Sequence, residues 1–554
     1  MSRKIFGIDL GTTYSCISHV DEYGRPEILR NIDAESTTPS VVLFDSAEHY
    51  TVGQQAKRQS RISPDSVVSL VKRHMGDAAW SFSTHGTEWS AAQVSSLILR
   101  ALADDAARAT GEEVNDVVIT VPAYFGDEER RATRQAGEYA GLNVVDIINE
   151  PTAAAFAYGF GQSDSLNENI LVYDLGGGTF DTAVIQLSEK KITVVATEGD
   201  HELGGSDWDN RLATHLAARF LREEPGADDP LDDSHGTQDL LTSAEEAKKA
   251  LTSREAADVL VVHGDRRANL AITRDEFESA TESLLERTIE LTRSTIAAAR
   301  ESGVESLDRV LLVGGSSKMP AVSRRLAEEF GFQPLLQDPD LAVAKGAAIY
   351  GQKMELERFV FEDLIARGVL KSGQRLSEAA SAELEKSASS AGEEYGMSSE
   401  SVAGIVTREV QNTCTRGFGV IVHDAVRDEE YACFLVHRND ALPKQIERRF
   451  STRTDNQQEV RIQVFEQGGG DESEKPEDNN VIVEGMITGI PFGQPRGTPV
   501  DIVLTMAGNG LLEVTARHAA LDRPLLLKID VGTVKDAAAV AAEVQALATL
   551  KQRV

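Results

Sequence analysis

The chain has little of what marks several common protein classes. Its three cysteines, Cys16, Cys414 and Cys433, are too few for a disulfide framework and are not spaced as zinc ligands. No uninterrupted apolar run is long enough to span a bilayer, and the apolar stretch after Lys4 is broken at Asp9, unlike that of a signal peptide. Buried thiols in a reducing compartment explain the cysteines, so we expect a soluble, cytoplasmic protein.

Positive charge is also scarce. The chain carries 56 Lys and Arg residues against 89 Asp and Glu residues, a formal net charge of -33 over 554 residues. A surface this acidic repels phosphate backbones and anionic lipid, which argues against nucleic acid or membrane as a partner. A local basic patch can still hold a nucleotide. Apolar residues make up 41% of the chain and aromatics only 6%, so we expect globular cores built from aliphatic side chains.

Four stretches of the chain differ in composition and residue pattern. Residues 1–351 alternate short β-branched runs with amphipathic helical patterns, which indicates α/β architecture. Residues 352–408 are rich in Ala, Ser, Glu and Lys and predict a charged helical insert or linker without chemistry of its own. Residues 409–530 contain short strand patterns separated by Gly, Pro and Asn turns, typical of an all-β module. Residues 531–554 predict at most one short helix.

Two related motifs carry the strongest chemical signal. Ile8–Thr13 and Tyr173–Asp181 each follow a strand pattern, contain Asp-Leu-Gly and precede another strand. Glycines let backbone N–H groups approach an anion, and threonine hydroxyls add uncharged donors. A carboxylate would repel phosphate directly, so Asp9 and Asp174 are better suited to hold Mg²⁺ or its water shell. Two facing copies predict a nucleotide site between two related lobes.

A third glycine cluster lies in Leu312–Pro320, after another buried-strand pattern. Its glycines would let a base or ribose approach the backbone, although ordinary strand-to-helix packing also explains such a turn. The chain has neither a G-x-x-x-x-G-K-[ST] P-loop nor a G-x-G-x-x-G dinucleotide fingerprint. The nucleotide fold must therefore be of another kind.

The order of five motifs resembles that of the DnaK-type heat-shock chaperones. These motifs are Ile-Asp-Leu-Gly-Thr-Thr, Val-Pro-Ala-Tyr-Phe, Ile-Asn-Glu-Pro-Thr-Ala-Ala, Asp-Leu-Gly-Gly-Gly-Thr-Phe-Asp and Leu-Val-Gly-Gly-Ser. The resemblance is specific from about Lys4 to Gly351 and weaker from Asn439 to Lys528. It implies a two-lobed actin-like ATPase domain, followed by the helical insert and a β-sandwich peptide-binding domain. It also implies ATP, ADP and Mg²⁺ as cofactors, unfolded polypeptide segments as partners, and a role in protein folding and the stress response.

The resemblance also implies catalytic roles for particular residues. Lys72 would place and polarise the attacking water, and Glu150 would order that water or accept its proton. Without the resemblance, a surface ion pair and a helix N-cap carboxylate would explain these two residues as well. Positioning and charge neutralisation carry most of the rate in phosphoryl transfer, which suits such a set. The implied catalytic residues are Lys72, Glu150, Asp174, Thr179 and Asp181, with Asp9 and Asp174 as the largely water-mediated metal ligands.

The remaining residues carried over from the family contact the nucleotide, relay its state or bind peptide. At the phosphate end they are Asp9, Gly11, Thr12, Thr13, Tyr14, Gly176, Gly177, Gly178, Thr179, Gly204 and Gly205. At the adenosine end they are Glu245, Lys248, Lys249, Thr252, Gly314, Gly315, Ser316, Lys318 and Asp340. The first four of these share one helix face, which a solvated amphipathic helix also explains. Pro122 and Arg130 match the interdomain relay, and Val420, Phe450 and Val460 match the peptide pocket.

Three departures from the family pattern bear on function. The short Leu-rich linker is replaced by the charged insert and Val406–Thr415. We therefore expect weakened docking of the linker and weakened coupling to the J-domain and nucleotide-exchange partners that the resemblance implies. His423 and Arg453 stand where the residues that arch over a bound peptide are expected, which disfavours purely apolar peptides. The helical lid is reduced to a stub after Ile529, which predicts fast peptide exchange.

Two other functions remain open on the sequence. In the first, the chain is a regulatory or scaffold ATPase whose β module binds one dedicated partner, and competition by unrelated unfolded peptides would separate it from a chaperone. In the second, the chain is a sugar or acetate kinase with similar phosphate hairpins. The kinase gives no reason for the C-terminal β module, so the DnaK-type chaperone is the prediction.

Overall fold

The computed structural model describes residues 3–159, 167–188, 191–371, 374, 376–424, 428–521, 523–527 and 537–553. We refer to residues 3–159 as the N-terminal unit, to residues 167–341 as the central unit and to residues 418–527 as the sandwich. Short 3₁₀ turns occur at Pro64–Ser66, Val71–His74, Pro230–Asp232, Gly315–Lys318, Leu376–Glu378 and Pro476–Asp478.

The N-terminal unit is built on one mixed sheet with the strand order β11-β10-β1-β2-β3, and β4 pairs with β2. Strands β1, β10 and β11 run parallel, and β1, β2 and β3 form an antiparallel meander. Its elements are β1 (Ile5–Asp9), β2 (Tyr14–Val20), β3 (Pro26–Leu29), β4 (Thr38–Pro39), β5 (Val42–Phe44), β6 (His49–Val52), α1 (Gln54–Gln59), β7 (Val67–Val68), β8 (Phe82–Thr84), β9 (Thr87–Trp89), α2 (Ala91–Thr110), β10 (Asp116–Val121), α3 (Asp127–Tyr139), β11 (Asn143–Asn149) and α4 (Glu150–Gly159).

The central unit repeats this plan with the strand order β18-β17-β12-β13-β14. Strands β12, β17 and β18 run parallel, and β12, β13 and β14 form an antiparallel meander. Its elements are β12 (Glu168–Leu175), β13 (Phe180–Leu187), β14 (Lys191–Asp200), α5 (Gly205–Glu223), α6 (Ser234–Ser253), β15 (Ala256–His263), β16 (Arg266–Thr273), α7 (Arg274–Glu301), β17 (Arg309–Val313), α8 (Pro320–Phe330) and β18 (Leu335–Leu336).

The matching strand orders explain why two Asp-Leu-Gly motifs can share one site. Each motif lies at the carboxyl end of the first strand of its unit, Asp9 in β1 and Asp174 in β12. The two units share an apolar core that includes Val118 and Val172 and that is closed by α9 (Ala342–Ala366). This core is rich in buried β-branched and alanine side chains, which is the composition expected for strands covered on both faces.

The insert is a packed helical hairpin. Helix α9 runs through the predicted boundary at 351/352, and α10 (Ser381–Tyr395) and α11 (Ser399–Thr407) fold back on it. Leu364 of α9 and Ala388 of α10 are fully buried in one apolar cluster. The Tyr395 hydroxyl donates to Oε1 of the buried Glu355 at 2.6 Å. The small and apolar residues of α10 and α11 thus form a core of their own, which their charged composition hid.

The linker is docked through strand β19 (Glu409–Gln411), although the missing leucines predict weakened docking. It extends the central sheet by pairing in parallel with β14, with Lys191 opposite Glu409. Backbone hydrogen bonds of a sheet edge do not depend on side-chain apolarity, so a linker without leucines can still dock in this way.

The sandwich consists of two four-stranded antiparallel sheets, ordered β21-β20-β23-β24 and β22-β25-β26-β27. The inward side chains of both sheets form one apolar core, in which Val464 of β23 and Leu504 of β25 are fully buried. Its strands are β20 (Phe418–Asp424), β21 (Glu429–Val436), β22 (Lys444–Ser451), β23 (Val460–Gln467), β24 (Asn479–Ile487), β25 (Pro499–Met506), β26 (Leu512–His518) and β27 (Leu525–Leu527).

The described end of the chain returns to the N-terminal unit. Helix α12 (Ala537–Ala548) packs on α3, and Leu547 is buried among the core residues of the N-terminal unit. Strand β28 (Lys551–Gln552) pairs in parallel with the edge strand β6. The predicted C-terminal helix is therefore present over part of 531–554, and its residues 531–536 and 554 lie outside the described residues.

Candidate nucleotide-binding and catalytic site

A cavity of about 630 Å³ separates the N-terminal and central units and is lined by most of the predicted site residues. The predicted residues on its wall are Asp9, Gly11, Thr12, Thr13, Tyr14, Lys72, Glu150, Asp174, Gly176, Gly177, Thr179, Gly205, Glu245, Lys248, Lys249, Thr252, Gly314, Gly315, Ser316, Lys318 and Asp340. Gly178, Gly204 and Asp181 are buried and do not line the cavity. The sequence motifs therefore converge on one cleft large enough for a nucleotide.

The two Asp-Leu-Gly hairpins face each other at van der Waals contact. A Cβ atom on Gly177 would lie 1.9 Å from Thr13 Oγ1, and one on Gly178 would lie 2.2 Å from Thr12 Cγ2. Only glycine permits this approach. Thr12 Oγ1 is buried without a hydrogen-bond partner, as is Ser206 Oγ on the same cavity wall. Orphaned hydroxyl donors between two glycine hairpins fit a bound phosphate group.

Buried carboxylates cluster at this end of the cavity. Burial, and then the charge of Glu150, raise the pKa of Asp9 to about 7. The same two causes raise the pKa values of Asp174 and Asp181 well above the ordinary range. Lys72 opposes these shifts, but one cation does not balance the cluster. A divalent cation would favour the ionised carboxylates, so the residues present fit Mg²⁺.

Direct coordination by several side chains is not the arrangement seen. Within the described ranges, no group of three or more His, Cys, Asp or Glu side chains is placed to hold a metal ion. Two carboxylates on opposite hairpins, Asp9 and Asp174, fit an ion that keeps most of its water shell, as Mg²⁺ usually does.

Lys72 and Glu150 form a buried ion pair. Lys72 lies in the 3₁₀ turn Val71–His74, which follows Leu70 in the left-handed conformation (φ 58°). Its Nζ atom is 2.5 Å from Oε1 of Glu150, the first residue of α4, and the two side chains are only 3% and 8% exposed. A surface ion pair is therefore wrong for Lys72. Non-glycine residues at such φ values are uncommon and cluster at functional sites.

A chain of hydrogen bonds leads from the phosphate end to the sandwich. Oδ1 of Asp181 accepts from the backbone N–H of Ala123 at 2.8 Å, next to the buried Pro122. The buried Arg130 donates to the carbonyl of Ala123 at 3.2 Å and to the carbonyl of Asn509 in the sandwich at 3.1 Å. Arg130 also donates at 2.8 Å to Asn149, the residue before Glu150. Of the two predicted relay residues, Arg130 thus contacts the sandwich directly and reaches the site through Ala123 and Asn149.

At the other end of the cavity, charged side chains join the two units. Glu245 of α6 accepts from Lys57 of α1 at 2.8 Å and from Lys249 at 2.7 Å, and the Tyr14 hydroxyl is 3.3 Å away. The charges of Lys57 and then of Lys249 overcome the effect of burial and lower the pKa of Glu245 to about 2. Lys57 was missed by the sequence analysis, because the short helix α1 carries no motif.

The predicted adenosine residues do not all point into the cavity. Lys248 is buried and donates to the carbonyl of Gly205 at 2.7 Å and to Asp209 Oδ2 at 2.8 Å, so it fastens α6 to α5. Lys318 pairs with Asp340 across the third glycine cluster. The Lys248 contact stabilises the wall of the cavity, whereas Lys249 and Lys318 lie at its open side.

The predicted peptide residues are only partly accessible. Val420 is 1% exposed inside the sandwich core, so in this conformation it cannot contact a peptide. Phe450 and Val460 are half-buried and pack against the same core. His423 Nε2 lies 3.1 Å from Asp428 Oδ1, and Arg453 lies 3.9 Å from the same oxygen. A polar bridge therefore joins the two positions predicted to arch over a peptide.

Comparison with known proteins agrees with this arrangement. A family model described as Hsp70 protein matches residues 5–379 and 427–549. The chain belongs to the Hsp70 family. Two chaperone proteins DnaK, from two strains of Halobacterium salinarum, are each 36% identical over 523 residues, which cover 93% of this chain and 73% of the relative. The family and these relatives support an ATP-dependent chaperone function.

The family model leaves one internal stretch of the chain unmatched. Residues 380–426 lie outside it, and they include α10, α11 and the linker strand β19. The Hsp70 family implies ATP hydrolysis and nucleotide binding with Mg²⁺ in general terms, and the mixed α/β structure with a β-sandwich is consistent with the family fold. Among the helices of the described residues, none has the length and apolarity needed to cross a membrane.

Proposed function

We propose that this chain is a DnaK-type chaperone that hydrolyses ATP in the cleft between two actin-like lobes, the N-terminal and central units. The observation that carries the proposal is the meeting of two glycine hairpins and the buried Lys72–Glu150 pair in one cavity. Backbone amides and orphaned hydroxyls suit phosphate oxygens, and the buried ion pair suits the positioning of a water molecule.

In this proposal different residues of the chain bind the phosphates, position the water and hold the metal ion. Thr12 and Thr13 donate to phosphate oxygens, and the hairpin that contains Thr179 covers the γ-phosphate end. Lys72 orients the attacking water, and Glu150 accepts a hydrogen bond or a proton from it. Asp9 and Asp174 would hold Mg²⁺ through its water shell. When bound, the ion neutralises charge on the phosphate oxygens.

The adenosine would lie at the open side of the cavity. Glu245, Lys249 and Thr252 line one wall there, and Gly314 and Gly315 line the other. Lys57 closes the mouth from the N-terminal unit by pairing with Glu245. Nucleotide exchange then requires that this inter-unit bridge opens, which is where an exchange partner would act.

Communication with the sandwich would pass through Pro122 and Arg130. Arg130 contacts Ala123, which donates to Asp181, and Asn149, which precedes Glu150. It also contacts the sandwich residue Asn509. A change in the phosphate end can therefore shift the sandwich between docked and free positions. The docked linker strand β19 makes coupling to J-domain partners compatible with this chain. We place the activity in the cytoplasm, with unfolded polypeptide segments as ligands of the sandwich.

Single-turnover hydrolysis tests the proposal. We expect Mg²⁺-dependent conversion of ATP to ADP and phosphate, loss of that activity in Lys72→Ala, and acceleration by several unrelated unfolded peptides. An absence of Lys72-dependent hydrolysis would refute the ATPase. Product analysis with small acceptor molecules would reveal a kinase instead.

A dedicated-partner switch is the second candidate function. It is favoured by the burial of Val420 and by the His423–Asp428 contact, which leave little open apolar surface where a general peptide would bind. In that case hydrolysis would depend on Lys72 but would not respond to any peptide in the panel.

A further inference from the structure

Arg73, the residue next to Lys72, joins the N-terminal unit to the phosphate end of the central unit. Its Nε and Nη2 atoms donate to the carbonyl of Gly178 at 2.9 Å and 2.7 Å. The same guanidinium pairs with Asp207 of α5, with Nη2 at 2.5 Å from Oδ2. One side chain therefore holds the second phosphate hairpin and the first turn of α5 together.

The two loops that Arg73 contacts are themselves packed without intervening side chains. Asp207 Oδ2 accepts from the backbone N–H of Gly204 at 2.8 Å. A Cβ atom on Gly204 would lie 2.5 Å from the carbonyl carbon of Gly178. The N–H groups of Gly205 and Ser206 also donate to the carbonyls of Gly176 and Gly177 at 3.0 Å and 2.7 Å. The two segments therefore form one unit, and Arg73 contacts both parts of it from across the cleft.

Arg73 and Lys72 share the 3₁₀ turn Val71–His74, so their backbones cannot move independently. Lys72 belongs to the N-terminal unit, whereas the hairpin Gly176–Thr179 belongs to the central unit. The distance between the Lys72 ammonium and that hairpin thus depends on contacts across the cleft. Arg73 directly follows Lys72 in the sequence and makes such contacts, with Gly178 and Asp207. A guanidinium suits this task because its rigid fork can serve a carbonyl and a carboxylate together.

We propose that Arg73 is a positioning residue for ATP hydrolysis, which sets Lys72 against the second phosphate hairpin by holding Gly178 and Asp207. This inference rests on the proposed ATPase function. A misplacement of about 1 Å at a reacting centre can cost on the order of 100-fold in rate, so a brace at this point affects the chemical step.

A second arginine that joins the two units, away from the phosphate end, provides the matched control. Arg61 of the N-terminal unit also crosses the cleft, with Nε 3.2 Å from Asp239 and Nη2 3.2 Å from Ser243. This bridge lies away from the phosphate end and is more exposed to solvent than the Arg73–Asp207 pair. Arg61→Met removes an inter-unit ion pair of the same type without touching the two phosphate loops.

The test compares single-turnover hydrolysis at saturating ATP with the ATP dissociation constant for wild type, Arg73→Met, Arg73→Lys and Arg61→Met. We expect Arg73→Met to lower the hydrolysis rate about 10- to 100-fold while affinity changes about threefold or less. Arg73→Lys should recover part of the rate, because an ammonium can pair with Asp207 but lacks the rigid fork that serves Asp207 and the Gly178 carbonyl together. Arg61→Met should keep the wild-type rate.

The outcomes separate the two proposals. If wild-type protein does not hydrolyse ATP in a Lys72-dependent way, the proposed function fails. If it does, and Arg73→Met hydrolyses bound ATP at the wild-type rate, Arg73 is only a brace and the inference is wrong. A loss of affinity in Arg73→Met without loss of rate, or an equal loss of rate in Arg61→Met, would also overturn it. Circular dichroism on every variant confirms that the chain is folded.

Discussion

Nζ of Lys72 lies 2.5 Å from Oε1 of Glu150, and neither side chain is more than 8% exposed. The pair comes from a 3₁₀ turn and from the first turn of α4, two segments that are separated by the whole of α2, β10, α3 and β11. Because both charges are buried, removing one partner should lower the stability of the protein. This effect is separate from the chemical role proposed for the pair. The two effects can be separated by experiment.

We predict that Lys72→Met lowers single-turnover ATP hydrolysis by at least about 100-fold, as expected when a group that positions or polarises the attacking water is lost. It should also lower the free energy of unfolding by about 3–5 kcal/mol, because Glu150 is left as a buried unpaired carboxylate. Quenched-flow hydrolysis and urea unfolding measure the two effects.

The double variant Lys72→Met/Glu150→Gln provides the control. It removes both charges, so most of the lost stability should return while hydrolysis stays slow. Recovery of hydrolysis together with stability would show that the pair is structural and has no catalytic role.

The bridge at the cleft mouth gives a second prediction. Lys57 reaches from α1 to Glu245 of α6, and both side chains are mostly buried. We expect Lys57→Met to speed ADP release about 3- to 10-fold, since the variant removes an inter-unit contact worth about 1 kcal/mol. Stopped-flow release of a fluorescent ADP analogue measures the rate. Hydrolysis of bound ATP should be unchanged, and slower release would contradict the assignment of this bridge as a gate.

Much of the site could be predicted from the sequence because its parts are motifs of adjacent residues. Asp9 with Thr12 and Asp174 with Thr179 each occupy one strand end, so the local pattern fixes their geometry. Lys57 could not be found in this way. Its role arises only when α1 and α6 approach across the cleft, and nothing in its own helix distinguishes it from a solvated lysine.

The sequence predicts the α/β, helical and all-β regions from their residue patterns. It does not predict the packing of the insert or the docking of the linker, because the composition of these segments is misleading. The charged composition of the insert predicts a helix or linker but no apolar core, yet alanines such as Ala388 and Ala391 pack against α9. The missing leucines predict weakened docking of the linker. Strand β19 docks through backbone hydrogen bonds, which no side-chain pattern reports. The packing of the insert depends on small residues, and the docking of the linker depends on the backbone. Neither kind of contact leaves a recognisable pattern in the sequence.

The C-terminal segment gives a third prediction. Leu547 of α12 is 2% exposed among core residues of the N-terminal unit, and Arg100 donates to its carbonyl at 2.9 Å. Leu547→Ala should cost about 2–5 kcal/mol of local stability and release α12. Hydrogen exchange followed by mass spectrometry should show loss of protection in α12 and in β28, with the sandwich unchanged. Leu526→Ala, at an exposed leucine of β27, is the control and should leave the protection of α12 unchanged.

Glu466 gives the last prediction, which concerns pH. Its side chain is 3% exposed in β23 and lies against α3, where a Cβ atom on Gly126 would be 2.5 Å from its Oε1 atom. That oxygen has no hydrogen-bond partner, and Arg416 is 3.4 Å from the other one. Burial, and then the nearby carboxylates of α3, raise the pKa of Glu466 to about 8 despite Arg416. The charged and titratable groups around it are Arg416, Cys414, Asp127, Glu128, Glu129 and Arg130.

The sign of the effect follows from these values. An undocked, solvated Glu466 ionises near its ordinary pKa of about 4.5, whereas the docked one keeps its proton up to about pH 8. Docking therefore takes up a proton between these values, and its equilibrium constant should fall as pH rises through this window. The fall reaches at most about tenfold per pH unit and stops above about pH 8.

Energy transfer between fluorophores on the N-terminal unit and on the sandwich measures the docked fraction with ATP from pH 5 to 9. Wild-type protein should undock progressively as pH rises, while Glu466→Gln should stay docked throughout because glutamine cannot ionise. Glu484→Gln, on the exposed edge strand β24 and paired with Arg461, should follow wild type. A pH profile that is the same in Glu466→Gln and wild type would show that another group controls docking.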